Sequence, residues 1–198
     1  MEKFVLATAN AGKIREMRSI LSGFGMECVT RDELDIDIEI EETGTTFLEN
    51  ATLKATKISE ISSLAAIADD SGLMVESLGG EPGVYSSSFG GCNLSDIERC
   101  SFLLNKLKNM EQRRAKFVCN IVCAFPDGNL LSATGECHGA ISAKPTGAGG
   151  FGYDPVFIPD GYDKSMAELT AEEKNKISHR SIALKNFKAA LELSAGNG

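Results

Sequence analysis

Ten residues, Leu64-Ala65-Ala66-Ile67-Ala68-Asp69-Asp70-Ser71-Gly72-Leu73, constrain the fold more than any other stretch of this chain. The small apolar run predicts a buried strand over 65–69, which then ends abruptly in two carboxylates, a hydroxyl and a glycine. Buried carboxylates are costly unless partners meet them. Such an ending belongs at the edge of a sheet, where α/β proteins place ligands. Taken by itself, it serves equally as a strand end capped by solvated aspartates. Adjacent strand residues point to opposite faces, so Asp69 and Asp70 need not share a role.

The segments around this stretch alternate in type. Lys3 to Thr8 reads as a first strand, and Lys13 to Phe24 as a helix with Ile14, Met17, Leu21 and Phe24 on one face. Residues 27–40 give a short strand and an acidic connector. Its strict alternation, Asp35-Ile36-Asp37-Ile38-Glu39-Ile40, predicts a half-buried strand or edge. A helix from Thr46 to about Ser62 opens on a capping box, Thr46 to Glu49. A second short strand follows around Leu73 to Glu76, and Gly79-Gly80-Glu81-Pro82-Gly83 is a turn. Leu94 to Lys108 predicts a helix capped by Asn93 or Ser95. Lys116–Phe125 and Leu130–Cys137 predict a hairpin joined by Pro126-Asp127-Gly128-Asn129. The last helix runs from about Arg180 to Ser194. This order predicts an α/β protein with a mixed sheet and no repeat or linker, hence one domain over 1–198, with room for two lobes.

Composition excludes several partners. A net charge of −8 argues against a nucleic-acid polymer, whose phosphates need a basic face. It leaves room for a single nucleotide held by a few placed lysines. No apolar run approaches membrane-spanning length, and Met1 to Thr8 is too short and too soon interrupted for a signal peptide. The six cysteines include no C-x-x-C pair, and with only His138 and His179 beside them they argue for free thiols rather than disulfides or zinc.

Four segments carry candidate chemistry. Thr8-Ala9-Asn10-Ala11-Gly12-Lys13 joins a strand to a helix, where free N–H groups and the positive dipole end suit phosphate. It is not a Walker A loop, and alone it reads equally as an ordinary polar turn. Lys54 falls within the apolar face of Phe47, Ala51, Ile58 and Ile61. It either snorkels from that face or meets an anion there, with Asn50 sharing its direction. Gly147-Ala148-Gly149-Gly150-Phe151-Gly152 matches G-x-G-x-x-G by letter, yet Tyr153-Asp154-Pro155 follows instead of a helix, so a dinucleotide fingerprint is rejected. A glycine-rich loop with aromatics instead suits close approach to a flat ligand. Glu172 to Ser181 gathers Lys174, His179 and Arg180, donors for a base or phosphate in a run that otherwise reads as a solvated charged face.

Taken in order, seven segments resemble the inosine triphosphate pyrophosphatase family over nearly the whole chain. They are Thr8-x-Asn10-x-x-Lys13-x-x-Glu16; Glu41-Glu42-Thr43-Gly44 with Phe47-Leu48-Glu49-Asn50-Ala51; Lys54-Ala55; Ala68 to Leu73; Gly79-Gly80-x-Pro82-Gly83-Val84-Tyr85-Ser86; Gly149 to Pro155; and Ser178-His179-Arg180. The resemblance implies an elongated mixed β-sheet flanked by helices, with two lobes and the active site in the cleft between them. It implies a cytoplasmic homodimer that converts ITP, dITP and XTP to the monophosphate and pyrophosphate with Mg²⁺. By resemblance, Thr8, Ala9, Asn10, Ala11, Gly12 and Lys13 hold the triphosphate, with Lys13 and Lys54 stabilising its charge. Asp70 is the catalytic carboxylate and a metal ligand, Glu41 the second metal ligand ahead of Glu42, and Ser71 a substrate contact. Phe151, Gly152, Tyr153, Asp154, Lys174, His179 and Arg180 form the base pocket, and Asp69 braces the loop.

Some positions depart from the family pattern. Ser87-Ser88 replaces the usual Ala-Arg after Tyr85-Ser86, Ala148 stands where threonine is frequent, and Met166 where phenylalanine is common. None falls on a proposed phosphate lysine or metal carboxylate. Two competing enzyme classes fit less well. The Maf-like pyrophosphatases lack the Ser-His-Arg segment and the Gly-Gly-Phe-Gly-Tyr-Asp-Pro loop, and a haloacid-dehalogenase phosphatase needs D-x-D spacing. A nucleotide-binding module without catalysis would not need Asp70, Lys13 and Lys54 together.

Overall fold

The computed structural model describes residues 3–196. The regular elements are β1 (Lys3–Leu6), α1 (Ala11–Gly23), β2 (Glu27–Thr30), α2 (Phe47–Ser62), β3 (Ala65–Val75), α3 (Asp96–Lys106), β4 (Arg114–Ala124), β5 (Leu130–Ile141), β6 (Phe157–Pro159), α4 (Ala171–Ile177) and α5 (His179–Gly196). The strands form one sheet in the order β2-β1-β3-β4-β5-β6. β1 runs parallel to β2 and β3, while β5 and β6 are antiparallel, so the sheet is mixed and helix-flanked as expected. Among the described residues no helix is long and apolar enough to cross a membrane.

The chain divides into two compact units. The first holds the residues through Asp70, Cys119–Gly135, and those from His179 onward; the second holds Ser71–Val118 and Glu136–Ser178. In the first unit the period-2 rule sorts β3 cleanly. Ala65 and Ile67 pack with Phe4, Leu6, Cys119, Ile121 and Cys123 against α1 and α5. Ala66 and Ala68 pack with Val5, Ala7, Val122 and Ala124 against α2. The second unit has its own core, in which Leu73 and Val75 of β3 meet Cys100, Leu103 and Leu107, with Phe117 against Phe157 at 4.7 Å between ring centroids.

Three sequence expectations change. First, β3 does not end at the aspartates. It runs through them as one strand to Val75, absorbing the second short strand expected at 73–76. The polar residues are tolerated in mid-strand because cationic side chains meet them. β1, however, stops pairing at Ile67, where Ala7 N donates to Ile67 O (2.8 Å), so the carboxylates lie just past the end of β1. Second, 35–40 is not a strand. Ile36 is buried and Ile38 and Ile40 pack beside it on the α2 core, so the alternation is real. Asp35 is left-handed (φ 54°), and the Arg31 guanidinium bonds the Ile38 carbonyl, which holds the segment without a ladder. Third, the charged run at 171–177 is a short helix, started by a Thr170–Glu173 capping box. The hairpin is as predicted, with Phe125 N donating to Asn129 O (2.9 Å). The capping boxes of Thr46 with Glu49 and of Ser95 with Glu98 are both present.

Candidate active site

Two clusters hold the predicted site residues, one in each unit. In the first unit the parity of β3 sends Asp69 and Asp70 to opposite faces. Asp69 faces α1 and α5. Its Oδ2 accepts from Arg180 Nε (3.1 Å) and Nη2 (2.9 Å), and Lys13 Nζ lies 3.2 Å from Oδ1. The Arg180 guanidinium also bonds Glu16, one helical turn beyond Lys13 on α1. Burial pushes the Asp69 carboxyl up, but Lys13, Arg180 and Lys54 outweigh it and hold the group well below the usual carboxylate range. Asp69 is therefore a permanent anion at the centre of a buried ionic network.

Asp70 faces α2. Lys54 Nζ donates to its Oδ1 at 2.8 Å and lies 3.4 Å from Glu42 Oε1. The lysine on the apolar helix face thus meets an anion and does not snorkel. Burial pushes the Asp70 carboxyl up to about 6, more than Lys54 and Lys13 offset, and Glu42 adds to the rise. Two adjacent aspartates in one strand therefore differ in basicity because different elements cover them. A carboxylate that still attracts a proton at neutral pH suits a general base, and it favours further positive charge beside it.

The loop before α1 is held in place by its own side chains. Asn10 Oδ1 caps the helix by accepting from Lys13 N (3.0 Å), and Thr8 Oγ1 accepts from Asn10 N (3.2 Å). These bonds fix the N-terminal turn of a 13-residue helix, whose first N–H groups have no intrahelical acceptor. Asn50 has a different job from the one its direction suggested: its Oδ1 accepts from Gly44 N (2.8 Å). Gly44 has no room for a side chain, since a Cβ would lie 2.6 Å from that oxygen. Asn50 thereby pins the Glu41–Gly44 segment to α2. Both glutamates are exposed, and Glu42 is the one ion-paired to Lys54. The donors are all oxygens, and Mg²⁺ asks for one or two carboxylates plus substrate phosphates rather than an all-protein cage. Among the described residues no group of three or more His, Cys, Asp or Glu forms a cage. The residues present fit that ion.

In the second unit Asp154 organises the glycine-rich loop. Its Oδ2 accepts from Phe151 N (2.9 Å) and from Lys174 Nζ (2.5 Å), and that ammonium sits 5.0 Å from the Phe151 ring centroid. Gly150 is required here: at φ +70° its Cβ would lie 2.0 Å from Asp154 Oδ2. Phe151 is half-buried, whereas Tyr153 is buried with its hydroxyl donating to Ser86 O (2.9 Å). Tyr153 is thus an anchor of the loop, and the half-buried Phe151 ring carries the Lys174 ammonium on its face.

The residues expected to form one base pocket fall in both units. Phe151, Gly152, Tyr153, Asp154 and Lys174 belong to the second, and His179 and Arg180, both buried, to the first. Arg180 is committed to Asp69 and Glu16. Ser71, the substrate contact expected next to Asp70, opens the second unit on β3. Reading the sequence alone missed Glu16 as a partner of Arg180, although its i+3 spacing from Lys13 places both on one face of α1. It also missed Asp96 and Cys100, which contact the loop from α3.

A model of the Ham1 family matches residues 4–190. A dITP/XTP pyrophosphatase of Deinococcus radiodurans is 47% identical over 190 residues, covering 96% of this chain and 93% of that protein. The dITP/XTP pyrophosphatase of Escherichia coli K12 is 47% identical over 195 residues, covering 96% and 98%. The solved structure of the Staphylococcus aureus Ham1 protein superposes with a TM-score of 0.87 at 42% identity, covering 98% of this chain and all of that one.

Proposed function

This chain belongs to the Ham1 family, and we propose that the carboxylate and lysines around β3 carry out its reaction. It is a nucleoside-triphosphate pyrophosphatase that hydrolyses non-standard purine nucleotides such as dITP, ITP and XTP. The observation that carries the assignment of the chemistry is the unequal setting of the two aspartates: Asp69 is bound by Arg180 and Lys13 on one face of β3, and Asp70 by Lys54 on the other. Asp69 is held as a fixed anion, while Asp70 keeps a carboxyl raised to about 6 against Lys54.

In the proposed mechanism Asp70 orients a water toward the α-phosphorus and takes its proton. An O–Pα bond forms, the Pα–O bond to the β-phosphate breaks, and pyrophosphate leaves with the electron pair. Lys13, the capped start of α1 and Lys54 hold the phosphoryl oxygens, so that charge developing there meets fixed positive groups. Thr8 to Gly12 supply backbone donors to the same oxygens. Mg²⁺, held by Asp70 with Glu41 or Glu42, supplies further neutralisation of phosphate charge when bound. Phe151 stacks on the purine. Lys174, aimed by Asp154, donates to its 6-oxo group. Adenine presents an amino donor there, which leaves the lysine unsatisfied. A cytoplasmic homodimer completes the proposal.

The test is a product assay with ITP, XTP, dITP, GTP and ATP. Pyrophosphate is expected from ITP, dITP and XTP, with loss of activity in EDTA and recovery on adding Mg²⁺. Orthophosphate as product, or equal turnover of ATP, would overturn it. Lys174→Ala is expected to narrow the kcat/KM gap between ITP and ATP by roughly tenfold, and an unchanged ratio would remove Lys174 from base recognition.

A further inference from the structure

Two side chains of α3, one helical turn apart, grip Gly152 in the glycine-rich loop. Asp96 Oδ2 accepts from the Gly152 N–H at 2.6 Å, and Cys100 Sγ donates to the Gly152 carbonyl at 3.4 Å. Their i,i+4 spacing puts both on one helix face. Gly152 itself is left-handed, φ +62°, a conformation that glycine adopts freely and leaves as freely. Its neighbours are fixed by other means: Tyr153 by its hydroxyl on Ser86 O, and the Phe151 amide by Asp154. Gly152 is thus the pivot of the segment, and α3 holds it.

We infer that α3 is the positioning element of the purine-recognition loop, and that Asp96 tunes purine affinity and selectivity by holding the Gly152 amide. The inference rests on Phe151 to Asp154 being the base-contacting segment. Asp96 belongs to none of the sequence motifs that mark the site. Its carboxylate gives the Gly152 N–H a charged acceptor, which makes the bond stronger than one to water. Without it the N–H turns to solvent and the loop samples more conformations. A substrate that depends on the ordered loop then binds only the competent fraction, so ITP loses apparent affinity in proportion, whereas ATP, which leaves Lys174 unsatisfied and gains less from the loop, loses less. The groups around Asp70 are untouched, so the loss belongs in KM and not in kcat.

Steady-state kinetics with ITP and ATP, with a melting curve for every variant, tests this. Asp96→Ala is expected to raise KM for ITP by about tenfold, leave kcat within about threefold, and lower the ITP-to-ATP ratio of kcat/KM. Asp96→Asn keeps an oxygen that accepts the same N–H, so it is expected to recover most of the affinity. Ser95→Ala serves as the stability control. It removes the α3 cap, in which Ser95 Oγ accepts from Glu98 N (3.3 Å), and is expected to lower the melting temperature with KM unchanged. An unchanged KM in Asp96→Ala overturns the inference. So does a Ser95→Ala that matches Asp96→Ala, or an Asp96→Asn as impaired as Asp96→Ala, which would trace the effect to charge at the helix start. Phe151→Ala separates the two layers of the argument. If it leaves the ITP-to-ATP ratio unchanged, the base site has been misplaced. If it changes the ratio while Asp96→Ala does not, only the positioning role fails.

Discussion

Asp70→Asn is expected to lower kcat for ITP by a factor on the order of 10³ while the protein stays folded. The amide cannot take a proton from water, and it offers less to a cation than a carboxylate does. It can still accept the Lys54 hydrogen bond through Oδ1, the bond seen at 2.8 Å in the native protein. The sign of the stability change follows from the raised carboxyl. Its ordinary value is 3.8 and its folded value about 6, so the fold prefers the group protonated. That stabilisation is full below 3.8 and is lost as pH rises through about 6, so at pH 7.5 the ionised carboxylate is a burden on the fold. A neutral amide removes the burden but leaves Lys54 with Glu42 as its charged partner, and the two changes oppose each other. The melting temperature at pH 7.5 is therefore expected to stay within a few degrees of wild type. Native activity is expected to fall in acid as the Asp70 carboxylate takes up a proton, and the residual activity of the variant to lack that limb. A variant with wild-type kcat would remove Asp70 from the chemistry.

Arg180→Met is expected to destabilise the fold by about 3–5 kcal/mol, measured by urea unfolding at pH 7.5. Arg180 is among the largest fully buried side chains, and it holds Asp69, 1% exposed, together with Glu16. Its loss leaves a buried carboxylate with Lys13 as its close ion pair, and charges stranded in this way cost far more than surface pairs. Arg180→Lys is expected to recover little, since a single ammonium cannot span both carboxylates as the planar guanidinium does. The depressed carboxyl of Asp69 stabilises the fold above its ordinary value and gives this up only as pH falls toward its lower folded value. The penalty is therefore full at neutral pH and shrinks in acid. A change under about 1 kcal/mol would show that the partners left to Asp69 suffice without Arg180.

The two variants separate what the sequence made legible from what it did not. Asp70, Lys54 and Lys13 stood out because each violated its local pattern: carboxylates in an apolar strand, a lysine on an apolar helix face, a cation at a helix start. Partners were harder to read. Asp69 meets Arg180 across 111 positions of sequence, and no local signal links them. Asn50 shared the direction of Lys54 and Arg180 looked like a ligand donor by type; packing assigned the first to Gly44 and holds the second on Asp69 and Glu16. Asp96 looked like an ordinary first-turn acid of a capped helix, and its bond to Gly152 spans 56 positions.

By itself the sequence determined the element types, the capping boxes, the mixed α/β class and the family, because these rest on short-range periodicity and ordered motifs. It also determined that adjacent aspartates on a strand would face opposite ways, since that follows from the pleat. Only the tertiary structure decided that β3 runs on through them, because cations from α1, α2 and α5 must be in place before a strand can carry buried carboxylates in its middle. It also decided which aspartate is a fixed anion and which keeps a raised carboxyl. That difference comes from which helix covers each face and how many cations it brings, and strand residues do not encode their neighbours across the sheet.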